Sequence, residues 1–180
     1  LICVPNMLDA SAILQKVEHT PYAKNNLCIV SVGRFAPEKH FENIVPAAKA
    51  LQAMNLAFMW HIVGDGSERA RVEILITENG LKDYVILEGS KTNPYPYMKY
   101  ADLFVHPSYI ESQGLTVLEA MALGVPCVVT KSRGPCEFIE DGINGLLTEQ
   151  SPESLAEKVL SILTDKTLYQ SIKENTVCPE

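Results

Sequence analysis

The chain has 180 residues, of which 47% are apolar and 21% charged, a composition ordinary for a globular domain with a substantial core. Its formal net charge of −7 argues against a broad nucleic-acid surface, although a small basic pocket could be hidden in that sum. No apolar run reaches the ~18 residues of a membrane span, no signal peptide opens the chain, and five cysteines without a C-x-x-C pair favour a reduced, cytoplasmic protein.

In chain order, apolar strand-like runs alternate with segments of helical spacing. Residues 1–26 are interpreted as a linker that leads into the domain without joining its core, and they include a polar loop, His19–Asn26. Ser67 and Ser151 are expected to cap the helices that follow them. The predicted strands are 27–32, 57–63, 84–89, 103–108 and 126–130; the predicted helices are 41–55, 67–80, 95–101, 114–124, 151–165 and 166–175; and 135–147 is a helical turn, a loop and a short strand.

This alternation predicts an α/β fold. Strands of continuous apolar character are buried on both faces, so we expect a Rossmann-like, doubly wound parallel sheet in three layers, α/β/α. Such sheets bind ligands at the carboxyl ends of their strands, and the loops after the strands are therefore the places to search for a site.

The loop after the first strand, VGRFAPEKH, holds two cations close to a helix start. Gly33 permits a tight turn, and Arg34 and Lys39 flank the loop. Cations are unfavourable at a helix N-terminus, and a bound anion would resolve the conflict. Taken alone, the two side chains are as well explained as solvated surface charges. The loop after the second strand, VGDGSER, lacks the third glycine of a dinucleotide fingerprint and is interpreted as a tight turn.

The loop after the fourth strand, HPSYIESQGLTVLEA, carries two glutamates around a helix start. Gly114 would let a phosphate approach the backbone, and the helix start offers N–H donors. Glu111 and Glu119 could each accept hydrogen bonds from sugar hydroxyls. One site could thus hold a sugar, a diphosphate and a ribose, although a pair of glutamates alone is a weak signal.

Together these segments resemble a known family. The chain is similar to the carboxyl-terminal, donor-binding domain of retaining glycosyltransferases of the GT-B architecture, in the group that includes sucrose synthases and bacterial mannosyl- and polysaccharide transferases. The motifs occur in family order from VPNMLD to the last helices: VGRFAPEKH, IVGDGSER, VILEGS, ADLFVHPSYIESQGLTVLEAMALGVPCVVT and DGINGLL.

The resemblance implies a role for each matching residue. Arg34 and Lys39 would bind the donor diphosphate, Glu111 would face the donor sugar, and Glu119 would hold the ribose hydroxyls. The remaining donor-binding candidates are Gly33, Ser90, Lys91, Gly114, Leu115 and Thr116, of which Ser90 and Lys91 lie where the family contacts the base; Glu137 lies in a segment that often closes the pocket.

No metal or other cofactor is expected, which agrees with the lack of a D-x-D motif. Two residues depart from the family pattern: His40 stands where glycine is usual, and Gln113 where an aromatic is usual.

The resemblance also implies the domain organisation and the activity. Residues 1–26 would be the linker from an amino-terminal acceptor domain, and 27–180 the nucleotide-sugar donor domain. The complete enzyme would transfer a sugar from a UDP-sugar, or second a GDP-sugar, to a glycan or lipid-linked acceptor in surface polysaccharide synthesis, peripherally at the inner membrane face. The chain alone would bind the donor without transferring it. The alternatives are a non-catalytic nucleotide-sugar-binding module and a nucleotide-sugar epimerase-like enzyme, which lacks such a glutamate pair.

Overall fold

The structure is a computed structural model, and it describes residues 8–17, 21–22 and 26–176. Six strands form one parallel sheet in the order β3-β2-β1-β4-β5-β6. The strands are β1 Leu27–Val32, β2 Phe58–Val63, β3 Val85–Gly89, β4 Leu103–His106, β5 Cys127–Thr130 and β6 Leu146–Thr148. The helices are α1 Ala10–Gln15, α2 Ile44–Ala53, α3 Arg69–Glu78, α4 Tyr95–Lys99, α5 Leu115–Ala122, α6 Pro152–Thr164 and α7 Lys166–Asn175.

Successive strand residues face opposite layers of helices. In β1, Ile29 packs into a core formed with α2, α3, α6 and α7, whereas Cys28 and Val30 pack into a second core formed with α1, α4 and α5. In β4, Val105 and Phe104 divide between the two cores in the same way. This period-2 division of buried residues builds the three-layer α/β/α architecture, and the predicted Rossmann-like fold is confirmed.

The order in which the chain adds strands to the sheet reverses between β1 and β4. From β1 the chain builds outward through β2 to β3, and it then returns to place β4 on the other side of β1, with Ile29 in register with Leu103. At such a reversal the loops at the carboxyl ends of the two strands diverge and leave a crevice. The loop Gly33–His40 and the loop Pro107–Gly114 therefore face each other there.

The glycines of VGDGSER have a packing role. A Cβ on Gly64 would lie 1.8 Å from the carbonyl oxygen of Gly33, and one on Gly66 would lie 2.4 Å from that of Phe35. The close approach of the loops after β1 and β2 therefore excludes any side chain at these positions, and the interpretation as a tight turn is confirmed. The expected cap is wrong: α3 begins after Glu68 without a side-chain cap, and Ser67 Oγ instead lies 3.5 Å from the Phe35 carbonyl oxygen.

The other differences lie at element ends and in the first residues. The predicted helix at 41–55 begins with a 3-10 turn, Phe41–Asn43, ahead of α2. Ser151 caps α6 as expected, accepting from the N–H of Ser154. We expected residues 1–26 to stay out of the core, but Ile13 of α1 is buried in the core formed with α4 and α5, so that expectation is corrected for this helix.

Part of the predicted linker falls outside the described residues. Of the polar loop His19–Asn26, the structure describes Pro21, Tyr22 and Asn26 alone, and the VPNMLD segment is described only from Leu8. Among the helices of the described ranges, none combines the length and the apolar character that a membrane crossing requires.

Candidate functional site

The loops after β1 and β4 are joined across the crevice. The hydroxyl of Ser108 and the backbone N–H of Tyr109 both donate to the carbonyl oxygen of Glu38, at 3.1 and 3.2 Å. These bonds hold Lys39, the next residue, against the β4 loop. The sequence could not predict them, because they depend on β1 and β4 being neighbours.

Lys39 and Glu111 form an ion pair at the centre of this junction. Lys39 Nζ donates to Glu111 Oε2 at 2.5 Å, and the side chains are only 18% and 16% exposed. The neighbouring imidazole of His106, the Lys39 ammonium and the backbone N–H of Gly114 together hold the pKa of Glu111 well below its usual value, although partial burial opposes them. Two residues singled out separately in the sequence are therefore in direct contact, and Glu111 is ionised.

His106 completes this group, and the sequence analysis did not single it out. It ends β4, its side chain is 4% exposed, and Nε2 lies 3.4 Å from Glu111 Oε2. Burial lowers the pKa of the imidazole, with a further lowering from the Lys39 charge, while Glu111 acts in the opposite direction. A histidine at the carboxyl end of an otherwise apolar strand was the available signal.

The first turn of α5 lies beside this pair. Gly114 has φ +69°, in the left-handed region, and no side chain caps the helix, so the first N–H groups of α5 have no partner within the helix. A Cβ on Gly114 would lie 3.1 Å from Pro135 and Phe138, and one on Gly134 would lie 2.6 Å from the backbone N of Gln113. The segment at 134–138 therefore supports the turn that begins α5. The candidates Leu115 and Thr116 are the first two residues of α5, and Gln113 is exposed at the turn.

Glu119 lies one turn further along α5 and has a partner that the sequence did not indicate. The hydroxyl of Tyr95 donates to Glu119 Oε1 at 3.1 Å, and Tyr95 begins α4. Burial raises the pKa of Glu119, while the Tyr95 hydrogen bond and the charge of Lys16 act in the opposite direction. Glu119 does not contact Glu111 in the contacts that the structure describes; the two carboxylates belong to separate parts of the site.

A third part of the site is an open pocket of about 360 Å³ beside the loop after β1. Gly33, Arg34, Ser90 and Lys91 contribute to its lining, so four of the predicted residues come together. Arg34 does not join the Lys39 and Glu111 pair: its side chain is 72% exposed and lies 3.1 Å from Glu38 Oε1. Lys91 Nζ lies 3.5 Å from Glu88 Oε2.

The two departures from the family pattern have distinct structural settings. His40 has φ +47°, in the left-handed region that glycine adopts without strain, and its ring stacks on Tyr109 at a centroid distance of 3.9 Å. Gln113 contacts Glu111 through its backbone N–H, 3.5 Å from Oε1. Glu137 is exposed and lies 3.8 Å from Arg133 Nε, away from the ion pair.

This arrangement can bind a phosphorylated ligand along the carboxyl edge of the sheet. A cation and free N–H groups attract phosphate oxygens, and ionised carboxylates accept from sugar hydroxyls. Within the described ranges, His, Cys, Asp and Glu side chains form no group of three that could hold a metal ion.

Comparison with known families agrees with this geometry. The family model for glycosyl transferases group 1 matches residues 15–177. A relative from Rhizobium meliloti, named as a lipopolysaccharide core biosynthesis glycosyltransferase, LpsE, is 33% identical over 147 residues, 81% of this chain and 42% of that protein. The poly(ribitol-phosphate) alpha-N-acetylglucosaminyltransferase of Staphylococcus aureus is 29% identical over 156 residues, 85% of this chain and 32% of that protein. The chain thus spans less than half the length of these relatives.

Solved protein structures are also similar to this chain. Anabaena HepE in complex with UDP and glucose has a TM-score of 0.77 and 27% identity, with 84% of this chain and 42% of that chain covered. A point mutant of S. aureus TarM, in complex with Fondaparinux, alpha-GlcNAc-glycerol and UDP, has a TM-score of 0.77 and 26% identity, covering 88% of this chain and 33% of that chain.

Proposed function

Because this chain belongs to the glycosyl transferases group 1 family, we propose that it is the donor-binding domain of a retaining glycosyltransferase that uses a nucleoside diphosphate sugar. The observation that carries the proposal is the meeting of Lys39 and Glu111 at 2.5 Å beside the uncapped start of α5. A sugar diphosphate needs cations and N–H donors next to an acceptor for its sugar hydroxyls, and this junction offers all three.

The ligand would extend along the edge of the sheet. The diphosphate lies between Lys39 and the first turn of α5, with Arg34 closing on it from the open pocket. Glu111 faces the sugar, Glu119 holds the ribose hydroxyls, and the base occupies the pocket by Ser90 and Lys91. UDP is the first choice of nucleotide and GDP the second; the UDP complexes of HepE and TarM support the former.

The chemistry asked of this domain is electrostatic. Breaking the bond between sugar and diphosphate develops negative charge on the leaving group, and fixed cations and oriented N–H groups stabilise that charge. Lys39, Arg34 and the start of α5 would supply this stabilisation without a metal ion. Glu111, ionised because its pKa is depressed, would accept hydrogen bonds from the sugar throughout the reaction.

The acceptor would bind elsewhere in the complete protein. The chain covers 42% of LpsE and 32% of the S. aureus transferase. We assign residues 27–180 to the donor domain and residues 1–26 to the connection with an acceptor domain, so the chain by itself would bind the donor without transferring it. The acceptor would be a glycan or lipid-linked glycan in surface polysaccharide synthesis, as the name of LpsE supports.

Calorimetric titration of the chain with UDP, GDP, ADP and their sugar conjugates, with no metal added, tests the proposal. Saturable binding of one series is expected, with about tenfold weakening in Lys39→Ala and in Arg34→Ala, the loss of one charge-assisted hydrogen bond. Arg71→Ala is the matched control, because Arg71 is also an exposed arginine in ion pairs, but on α3. Equal weakening in Arg71→Ala and Arg34→Ala, or no binding of any diphosphate, would contradict the proposal.

A further inference from the structure

The ring nitrogen Nε2 of His106 is the basis of a further inference. This nitrogen is buried and forms no hydrogen bond within residues 8–17, 21–22 and 26–176. Burying a polar group without a partner destabilises a fold, so such groups are rare unless they serve another purpose. An apolar residue at this position would avoid the cost.

The imidazole is held in place rather than free to turn away. The backbone of His106 pairs in register with Val129 of β5, and the ring lies parallel to that of Phe104 within 12°, at a centroid distance of 6.5 Å. In this position Nε2 is 3.4 Å from Glu111 Oε2, the same oxygen that accepts from Lys39 Nζ at 2.5 Å. One carboxylate oxygen therefore faces two nitrogen groups, and only Lys39 bonds to it.

A bound diphosphate would change the contacts of Glu111, because its oxygens compete with the Glu111 carboxylate for the Lys39 ammonium. Glu111 is only 16% exposed, and a largely buried carboxylate that loses its cation is strongly destabilised. A second donor already in place would offset that loss. A neutral imidazole with its proton on Nε2 is such a donor, and a small movement would bring the 3.4 Å separation into hydrogen-bonding range.

We propose that His106 is a positioning residue that donates a hydrogen bond to Glu111 when Lys39 binds the donor diphosphate instead of Glu111. This inference rests on the proposed function. In the unliganded chain Lys39 donates a hydrogen bond to Glu111, whereas His106 lies close to the carboxylate without forming one. In the complex His106 keeps the carboxylate in place for the sugar while Lys39 binds phosphate. The exchange explains why a buried nitrogen stands without a partner beside a carboxylate that has one.

Two substitutions at His106 separate this role from simple packing. His106→Leu removes the nitrogen at similar volume, and His106→Gln restores an N–H donor near the same place. We expect the Leu variant to weaken binding of the nucleoside diphosphate that the wild-type chain takes up by about tenfold, since one hydrogen bond to a charged group is lost in the complex. The Gln variant should recover most of that affinity.

A double-mutant cycle with Glu111→Gln gives the decisive comparison, because a neutral amide needs no replacement for Lys39. In the Glu111→Gln background, His106→Leu should leave nucleoside diphosphate affinity unchanged. An equal loss of affinity in both backgrounds, or full affinity in His106→Leu with Glu111 intact, would overturn the proposal. If the Leu variant does not fold, the cycle is run with His106→Asn, whose shorter amide does not reach Glu111. Failure of the wild-type chain to bind any nucleoside diphosphate would overturn the proposed function as well, whereas wild-type binding with an equal loss overturns the His106 proposal alone.

Discussion

Replacing His40 by glycine tests how this chain tolerates a side chain in the left-handed region at the edge of its site. With φ +47°, a non-glycine residue is strained by about 1 kcal/mol, which glycine would relieve. Glycine also makes the unfolded chain more flexible, at a cost of about 0.5–1 kcal/mol, so these two effects nearly cancel. What remains is the stacking on Tyr109 at 3.9 Å, a contact that contributes about 1 kcal/mol.

His40→Gly should therefore destabilise the chain by about 1 kcal/mol, a fall in melting temperature of about 2–4 °C for a domain of this size. In a Tyr109→Ala background the stacking is already absent, and the same change should be nearly neutral. The contact between His40 Nδ1 and Glu42 Oε1 at 3.4 Å is lost in both arms of the cycle and therefore does not affect the coupling. Thermal or urea unfolding of the four chains measures the coupling. A rise in stability for His40→Gly with Tyr109 intact would refute the reasoning, because strain rather than stacking would then dominate.

Three further predictions concern the electrostatics and packing of the site. The depressed pKa of Glu111 means that its ionised form stabilises the fold at pH values above the ordinary pKa of 4.5, and this stabilisation is lost as the pH falls through the depressed pKa. Wild type should therefore lose more stability than Glu111→Gln in urea unfolding between about pH 6 and 2. Parallel pH dependences of the two chains would contradict this. The raised pKa of Glu119 means that its charged form destabilises the ligand-free fold as the pH rises. Glu119→Gln should therefore be more stable than wild type in urea unfolding at neutral pH, and calorimetry should show that it binds nucleotide more weakly. Gly134→Ala places a Cβ 2.6 Å from the Gln113 backbone, so it should lower the stability of the fold by about 2 kcal/mol and weaken nucleotide binding. Gly124→Ala is the control, because its Cβ meets nothing within 4 Å. It should lower stability by about 1 kcal/mol through its positive φ alone and leave nucleotide binding intact.

The order of the elements could be predicted because local patterns determine it. The continuous apolar run Leu27–Val32 and the polar helix Lys166–Asn175 have the bounds expected from the sequence. The failed cap at Ser67 shows the limit of such rules, since the close packing of Gly64 and Gly66 on the β1 loop directs that hydroxyl to Phe35. The burial of Ile13 depends on α5, which lies about a hundred residues away in sequence.

The site was predictable as a set of residues but not as a set of contacts. Loop position and charge singled out Lys39, Glu111 and Glu119 one at a time. Their partners are set by tertiary structure: the Lys39 and Glu111 pair spans 72 positions in sequence, and Tyr95 reaches Glu119 from the start of another helix. His106 escaped notice because a histidine within an apolar run suggests a core residue, and only the pairing of β1 with β4 brings it beside Glu111 and Lys39.

The strand order has a consequence for how the chain is synthesised. β1 is made first, but it lies in the middle of the sheet, and one of its edges stays unpaired until β4 is translated about seventy residues later. A half-sheet of β1–β3 formed during that interval would expose a strand edge flanked by apolar side chains, the kind of surface that promotes aggregation and attracts chaperones. The docking of β4 closes that edge and, in the same step, brings Glu111 to Lys39. The pairing of β4 with β1 and the formation of the Lys39 and Glu111 ion pair therefore belong to the same step, before β5 and β6 extend the sheet.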